Sequence, residues 1–424
     1  MVWVMIVVFF ILLLLGMPIA FAMGLSSIMF IVTEGIPLVM VAQRFFSSTQ
    51  SFPFLAVPFF ILAGTMMIQG GIAKRIIKLA DSLVRPLPGG LALVSVVTSM
   101  LMAGVSGSSV ADASGIGSVL IPAMKKKGYG APFSVVINAT TSVVGIIIPP
   151  SSTMVILAWI TNLSVAKLFL GGAIPGILIS TMFFIITIII SLKRGYPRER
   201  LPHLKEIALN ILDSFWALLL PIIILGGILF GVATVTEIAA VSAVYAFVVS
   251  LLVYHSLDLK KILIALRDSA YSTAVVMMIV CTSTIFTWIL IRENIPRLIS
   301  TSLLGMGLSD PILLLVLVLI MFVFGTFMDL VPNLFLLAPI FFPIATGIGV
   351  DPIQFGVLMV ISLAMGLFTP PVGVTLFISC HLGKIGMEDC IKDLIPFFLG
   401  GAIICILAAY IPAITTWLPN LFFN

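Results

Sequence analysis

Apolar residues run in long blocks along this chain, parted by short clusters of charge or of Gly and Pro. The blocks fall at 4–32, 52–69, 89–124, 132–161, 167–191, 214–232, 236–254, 270–291, 310–346, 353–382 and 394–418. Most match one helix crossing the hydrocarbon core, which takes roughly 20 residues. Blocks 89–124 and 310–346 are too long for one crossing. Small polar residues interrupt each near its middle, at Gly104-Val-Ser-Gly-Ser-Ser109 and at Gly325-Thr-Phe-Met-Asp329. Each predicts a re-entrant hairpin whose tip stops inside the membrane, where irregular backbone survives only if it lines a polar cavity or is buried in protein. The stretch 72–85, with Lys74 and Arg75, is amphipathic and predicts an interfacial helix.

Composition excludes a water-soluble fold. Hydrophobic residues make up 61% of the chain and charged ones 9%, and mean hydropathy is +1.31. Lipid must be the solvent for that much apolar surface. The N-terminal block lacks a basic leader and is longer than a signal-peptide core, so it reads as a retained span. Four Cys (Cys281, Cys380, Cys390, Cys405) and three His (His203, His255, His381) are scattered without ligand spacing, so no disulfide framework or zinc site is expected.

The positions of the basic residues carry more information than the net charge of +5. With the N-terminus inside and both hairpins re-entrant, loops 70–88, 125–131, 192–213, 255–269 and 383–393 face the cytoplasm. They hold 17 of the 21 Lys and Arg, leaving Arg44, Lys167, Arg292 and Arg297 outside. That asymmetry is the positive-inside pattern. The first hairpin then opens to the cytoplasm, beside Arg85 and Lys125-Lys126-Lys127, and the second opens outward, beside Asp351.

A gapless internal repeat sits beneath this pattern. One offset carries Gly104 onto Gly325 (325 − 104 = 221), Pro122 onto Pro343, Gly145 onto Gly366, Pro149-Pro150 onto Pro370-Pro371 and Pro175 onto Pro396. The hairpins open to opposite sides, so the repeat is inverted: residues 1–212 form one half, and 213–424 a linking span (214–232) plus the other half. The expected fold is an all-α membrane protein of two inverted repeats, with two re-entrant hairpins and two Pro-Pro-broken helices. Inverted repeats with discontinuous helices mark secondary transporters, which bind their cargo near the midplane.

Ile146-Ile-Ile-Pro-Pro-Ser-Ser152 and Leu367-Phe-Thr-Pro-Pro-Val-Gly373 are the breaks. Paired prolines remove two backbone donors and disfavour helix before them, so carbonyls upstream lose their usual partners. Such carbonyls suit Na⁺, since hard cations prefer oxygen. The half-helix that follows, from about Ser151 or Val372, turns its N–H groups toward an anion. A simple kink repaired by Ser, Thr or water is the plainer reading of one such motif. Two motifs at matched positions, each opposite a hairpin tip, favour a functional one.

The first tip offers Ser106, Ser108 and Ser109. The second offers Thr326 and Asp329, followed by Asn333, the repeat equivalent of Asp112. Intramembrane carboxylates are costly and usually functional. Asp112 and Asp329 either bind a cation, relay a proton or bond the hairpin backbone. Asn138 and Thr140–Ser142 face either substrate or a neighbouring helix. Candidate substrate-binding residues are thus Ser108, Asp112, Asn138, Ser151, Ser152, Asp329 and Asn333. Glu237 opens a span near the outer surface and reads as a helix N-terminal acid.

In these same stretches the sequence resembles the large membrane subunit, or M subunit, of tripartite ATP-independent periplasmic (TRAP) transporters. The matching runs include Ser51-Phe-Pro-Phe-Leu-Ala-Val-Pro-Phe-Phe-Ile-Leu-Ala-Gly64, Ser106-Gly-Ser-Ser-Val-Ala-Asp112, Ile148-Pro-Pro-Ser-Ser152, Thr236-Glu-Ile-Ala-Ala240, Met328-Asp329, Asp351-Pro-Ile-Gln-Phe-Gly356 and Gly366-Leu-Phe-Thr-Pro-Pro-Val-Gly373. They cover nearly the whole chain in collinear order. Na⁺-driven import by an elevator movement across a bacterial or archaeal inner membrane is what the resemblance implies, as in the wider ion transporter superfamily. It implies two partners, a small four-helix membrane subunit and a periplasmic binding protein that delivers an organic acid such as a C4-dicarboxylate, sialic acid or another sugar acid. It also implies Na⁺ sites at Ser106, Gly145, Ile148 and Pro150, and at Gly325, Gly366, Thr369 and Pro371, held mostly by backbone oxygen. Two positions depart from the family pattern, Thr65 where an acid is common and Val235 where Pro is common. Both lie off the implied ion sites.

Rival readings are a stand-alone Na⁺- or H⁺-coupled carboxylate carrier, a passive channel, and an intramembrane serine protease. The last rests on Gly104-Val-Ser-Gly107 and needs a His base at membrane depth. His381, at a cytoplasmic helix end, is the only His near a span. No catalytic set, organic cofactor or nucleic-acid partner is expected.

Overall fold

In hydrocarbon every backbone N–H and C=O must be bonded within its own segment, which favours helices. The computed structural model describes residues 1–424 apart from Ser51, Leu201, Met306 and Asn424, and apart from the side chains of Phe52, Pro53, Val105, Ser106 and Leu304. The described residues form helices and no strand.

The first half runs α1 (Val2–Leu14), α2 (Ile19–Thr33), α3 (Val39–Thr49), α4 (Ala56–Gln69), α5 (Ile72–Val84), α6 (Gly90–Ser106), α7 (Ser109–Lys126), α8 (Ala131–Ser142), α9 (Val144–Ile147), α10 (Ser152–Thr161) and α11 (Val165–Arg194). The second runs α12 (Leu204–Leu229), α13 (Val235–Val248), α14 (Leu259–Arg292), α15 (Ile295–Gly305), α16 (Asp310–Phe327), α17 (Leu330–Gly347), α18 (Pro352–Gly366), α19 (Val374–Gly383), α20 (Ile391–Tyr410) and α21 (Ala413–Phe423). Among the described residues, seven helices are long and apolar enough to cross a membrane, or nine if each of two bent pairs counts as one span.

Helix bounds repeat at the sequence offset. α7 and α17 start at 109 and 330 and end at 126 and 347, so both ends differ by 221. Two expected blocks divide instead of running through. Block 4–32 parts into α1 and α2, because Gly16 takes φ +82° and Pro18 lacks a backbone donor. Block 394–418 parts into α20 and α21 at Ile411-Pro412. Both hairpin breaks are tighter than the sequence suggested: Gly104 and Gly325 stay helical, and only Gly107-Ser108 and Met328-Asp329 leave the helix.

α4 packs on α13 and α14, and α14 also on α2 and α3. A second cluster gathers the hairpins and broken helices, where α19 of the second half lies against α7 and α8 of the first. α8 is buried from Phe133 through Ser142, and α18 from Ile353 through Gly366. A helix buried all round belongs to the centre of its cluster. The amphipathic α5 is anchored by Arg75, whose guanidinium lies 3.8 Å from the centre of the Tyr254 ring and 3.1 Å from Asp213. At its end Arg85 pairs with Asp81 and Glu206 at 2.7 and 3.2 Å, and the hydrogen bond it donates to Asp81 leads in raising the guanidinium pKa further.

Candidate functional site

Each hairpin tip meets a broken helix, and the two meetings use different atoms. At the first tip Gly107 takes φ +57° and Ser108 is extended, so the chain reverses in two residues. Ser108 Oγ caps α7 by accepting from Ala111 N. Across from it α9 ends at Ile148, Pro149-Pro150 is cis, and α10 restarts at Ser152. Ser152 Oγ donates to Gly107 O at 3.1 Å and so ties tip to break. Ser151 Oγ donates to Ile146 O at 2.8 Å and accepts from Met154 N. It thereby satisfies one carbonyl that the prolines release and one donor of the new helix start.

Asp112 lies one turn into α7 and is buried. Gly145 makes room for it: a Cβ there would overlap Asp112 Oδ2. Hairpin 1 and the first broken helix therefore meet carboxylate to glycine. At the second site Gly366 meets backbone, and a Cβ would overlap the main chain of Gly325 and the Thr326 nitrogen. Thr326 O accepts from Gly373 N at 3.0 Å, which joins tip and break again. Carbonyls beside this break are bonded locally: Gly366 O accepts from Thr369 N, Met365 O from Thr369 Oγ1, and Leu367 O from both N and Oγ1 of Thr375.

Among the described residues no group of three or more His, Cys, Asp or Glu converges. Oxygen donors stand at both junctions, the Asp112 carboxylate at the first and main-chain and Thr369 oxygens at the second. Such hard donors suit Na⁺. The Ser106 side chain lies outside the described residues.

A cavity of about 200 Å³ opens between the two tips. It brings together Ser108, Ser152 and Asp329 with Gly64 and Thr65 of α4 and Ser272 of α14. Ile61, Ile156, Val276 and Val331 supply apolar wall, and no Lys or Arg lines it. A small cavity of apolar wall with a few convergent polar groups is the usual form of a ligand site.

Four other candidate substrate residues do not line it. Ser151 and Asp112 are buried at the first junction. Asn138 donates to Ala113 O and Ser379 Oγ, both at 2.9 Å, and ties α8 to α7 and α19. Asn333 donates to Phe324 O and Met328 O of its own hairpin, at 3.2 and 3.1 Å. Thr65, Thr153 and Ser272 enter the cavity without having been singled out; only Thr65, as a departure from the family pattern, carried any signal. Glu237 closes a capping box with Thr234, as expected of a helix N-terminal acid. His381 is exposed on the last turn of α19.

Comparison with known proteins agrees with this architecture. Residues 6–414 match the family model "Tripartite ATP-independent periplasmic transporter, DctM component". The chain is 38% identical over 428 residues to the C4-dicarboxylate TRAP transporter large permease protein DctM of Vibrio cholerae, covering 96% of this chain and 94% of that one. It is 35% identical over 408 residues to the sialic acid TRAP transporter large permease protein SiaM of the same organism, covering 96% of each. Against the isethionate TRAP transporter permease protein DctMQ of Oleidesulfovibrio alaskensis it is 37% identical over 404 residues, 95% of this chain but 64% of that one. In structure it resembles the Alcanivorax borkumensis YdaH transporter, with TM-score 0.64 and 14% identity over 87% of this chain and 86% of that one. That likeness concerns the fold. On the family match and these relatives, the chain belongs to the DctM family of large permease subunits of tripartite ATP-independent periplasmic transporters.

Proposed function

We propose that this chain is the transmembrane carrier of a Na⁺-coupled system that imports an organic acid by an elevator movement. The observation that carries the reading is the cavity shared by both tips, where Ser108 and Ser152 face Asp329 against α4 and α14. A ligand there touches hairpins and broken helices on one side and the helices around α4 on the other. That is the arrangement a sliding carrier needs. Relatives named for C4-dicarboxylate, sialic acid and isethionate transport support an organic acid as cargo.

In this reading the halves 1–212 and 213–424 are inverted repeats, the N-terminus is cytoplasmic, and the membrane is the bacterial inner membrane. Na⁺ sits at the two junctions, on Ser106, Gly145, Ile148 and Pro150 and on Gly325, Gly366, Thr369 and Pro371. The acid's carboxylate takes the N-terminal N–H groups of α10, where the helix dipole favours negative charge. A small membrane subunit and a periplasmic binding protein complete the system; the fused DctMQ relative, longer than this chain, supports the former.

Reconstitution of the chain with both partners tests this, by uptake across a panel of organic acids with and without a Na⁺ gradient. Uptake that needs both the gradient and the binding protein is expected. Uptake indifferent to Na⁺ removes the ion sites, and uptake without the binding protein favours a stand-alone carrier.

A further inference from the structure

Three of the helices that line the deep cavity, α10, α14 and α17, carry a second one further along. α10 passes from Ile156 in the deep cavity to Trp159 in the second, α14 from Val276 to Thr284, and α17 from Val331 to Phe335. At 1.5 Å per residue the two lie about 5–12 Å apart along the same helices. Trp159 and Phe335, the lining residues of the second cavity nearest the first along α10 and α17, meet edge to face at 5.9 Å. At the same level Thr287 Oγ1 of α14 donates to Phe335 O of α17 at 3.1 Å.

The cavities differ in charge. No basic side chain lines the deep one. The second, of about 310 Å³, is lined by the half-buried Arg44, whose guanidinium lies 5.3 Å from the Trp288 ring centre. Arg292 lies over the same ring at 5.6 Å. Two of the four basic residues that the charge count places outside thus gather on one indole. Among the described residues neither guanidinium has a carboxylate within ion-pair distance. A guanidinium held beside an aromatic ring by its charge keeps the planar N–H fork that matches a carboxylate.

We infer that the second cavity is an outer vestibule that binds the carboxylate of an organic acid on Arg44. Arg292 adds charge, and Trp288 packs against the body of the acid. The vestibule supplies a guanidinium, which the deep cavity lacks, and Trp159 and Phe335 are the vestibule residues nearest the deep cavity along α10 and α17. This site rests on the transport reading for its role, and on geometry alone for its binding.

Tryptophan fluorescence of the purified full chain, titrated with succinate and with sialic acid at constant ionic strength, tests it. A saturable change is expected in the native chain and is reduced in Trp288→Phe, which leaves Trp159 of the same cavity as a second reporter. Arg44→Gln raises the half-saturating concentration about tenfold or more, the loss expected for a charge-assisted bond. Arg44→Lys, which keeps the charge but not the fork, falls between. Lys167→Gln removes an outer charge away from the cavity and leaves the titration unchanged. Arg44→Gln binding like the native chain, with an unaltered melting temperature, overturns the vestibule. Were the reconstituted complex to import no acid while Arg44-dependent fluorescence persists, the transport reading would fall and the site would stand. Were import to proceed with fluorescence independent of Arg44, the reverse would hold.

Discussion

Both junctions keep the same glycine, yet for different physical reasons. Gly145 leaves space for the side chain of Asp112, while Gly366 leaves space for the backbone of Gly325 and Thr326. The repeat equivalent of Asp112 is Asn333, and its amide donates to carbonyls of its own hairpin. Caps differ too: Ser151 starts α10 with a side-chain bond, whereas Gly373 starts α19 at φ +48° with none. A duplicated backbone plan therefore carries a carboxylate junction in one copy and a main-chain junction in the other. Equal position in a repeat does not mean equal role.

Substitutions can break or sharpen that contrast. The largest effect is expected from Gly366→Ala, because the atoms its Cβ meets belong to a neighbouring helix backbone that cannot rotate away. We expect a loss of about 3 kcal/mol or more, read as a fall in melting temperature in detergent; an unchanged melt would refute backbone contact at this junction. Next comes Asn333→Asp, which removes two donors and sets a carboxylate against the carbonyls of Phe324 and Met328. It should cost roughly 2 kcal/mol, more than Asn333→Ala. Equal melts for the two variants would show that the amide does not act as a tie.

Gly145→Ala should cost less, about 1–2 kcal/mol, since a side chain stands opposite and can shift. Combined with Asp112→Ala its penalty should shrink by about 1 kcal/mol, whereas strictly additive melts would place the strain elsewhere. The smallest effect belongs to Ser151→Ala, about 1 kcal/mol for one lost cap. Ser151→Thr should restore most of it, and failure to do so would argue against the capping role.

Much of the fold is legible along the chain because the signals are local. Pro149-Pro150 and Pro370-Pro371 interrupt helices wherever they stand, and the broken helices follow. Gly16 and Pro18 carry the same kind of signal for the α1–α2 break, which the unbroken apolar character of block 4–32 outweighs. The cavity is less legible. Thr65, Ser272 and Asp329 are separated by two hundred residues or more of intervening chain between the first two alone, and only the packing of α4 and α14 on the tips unites them. Asn138 is open in sequence between substrate and a neighbouring helix, and Asn333 reads as a substrate candidate. Only the packing shows that their amides donate to Ala113 O and Ser379 Oγ, and to Phe324 O and Met328 O.

By itself, then, the sequence determined which blocks are apolar, the two Pro-Pro breaks, the offset of 221 between copies and the asymmetry of basic residues. These follow from covalent geometry and from the transfer of each residue into lipid, which neighbours in space do not alter. Tertiary structure alone decided which atoms stand opposite Gly145 and Gly366, and which polar groups face a cavity rather than a carbonyl. Those outcomes depend on the rotation and spacing of helices far apart in the chain. Packing sets them to within a side chain's width, finer than any periodic pattern of polar and apolar residues can specify.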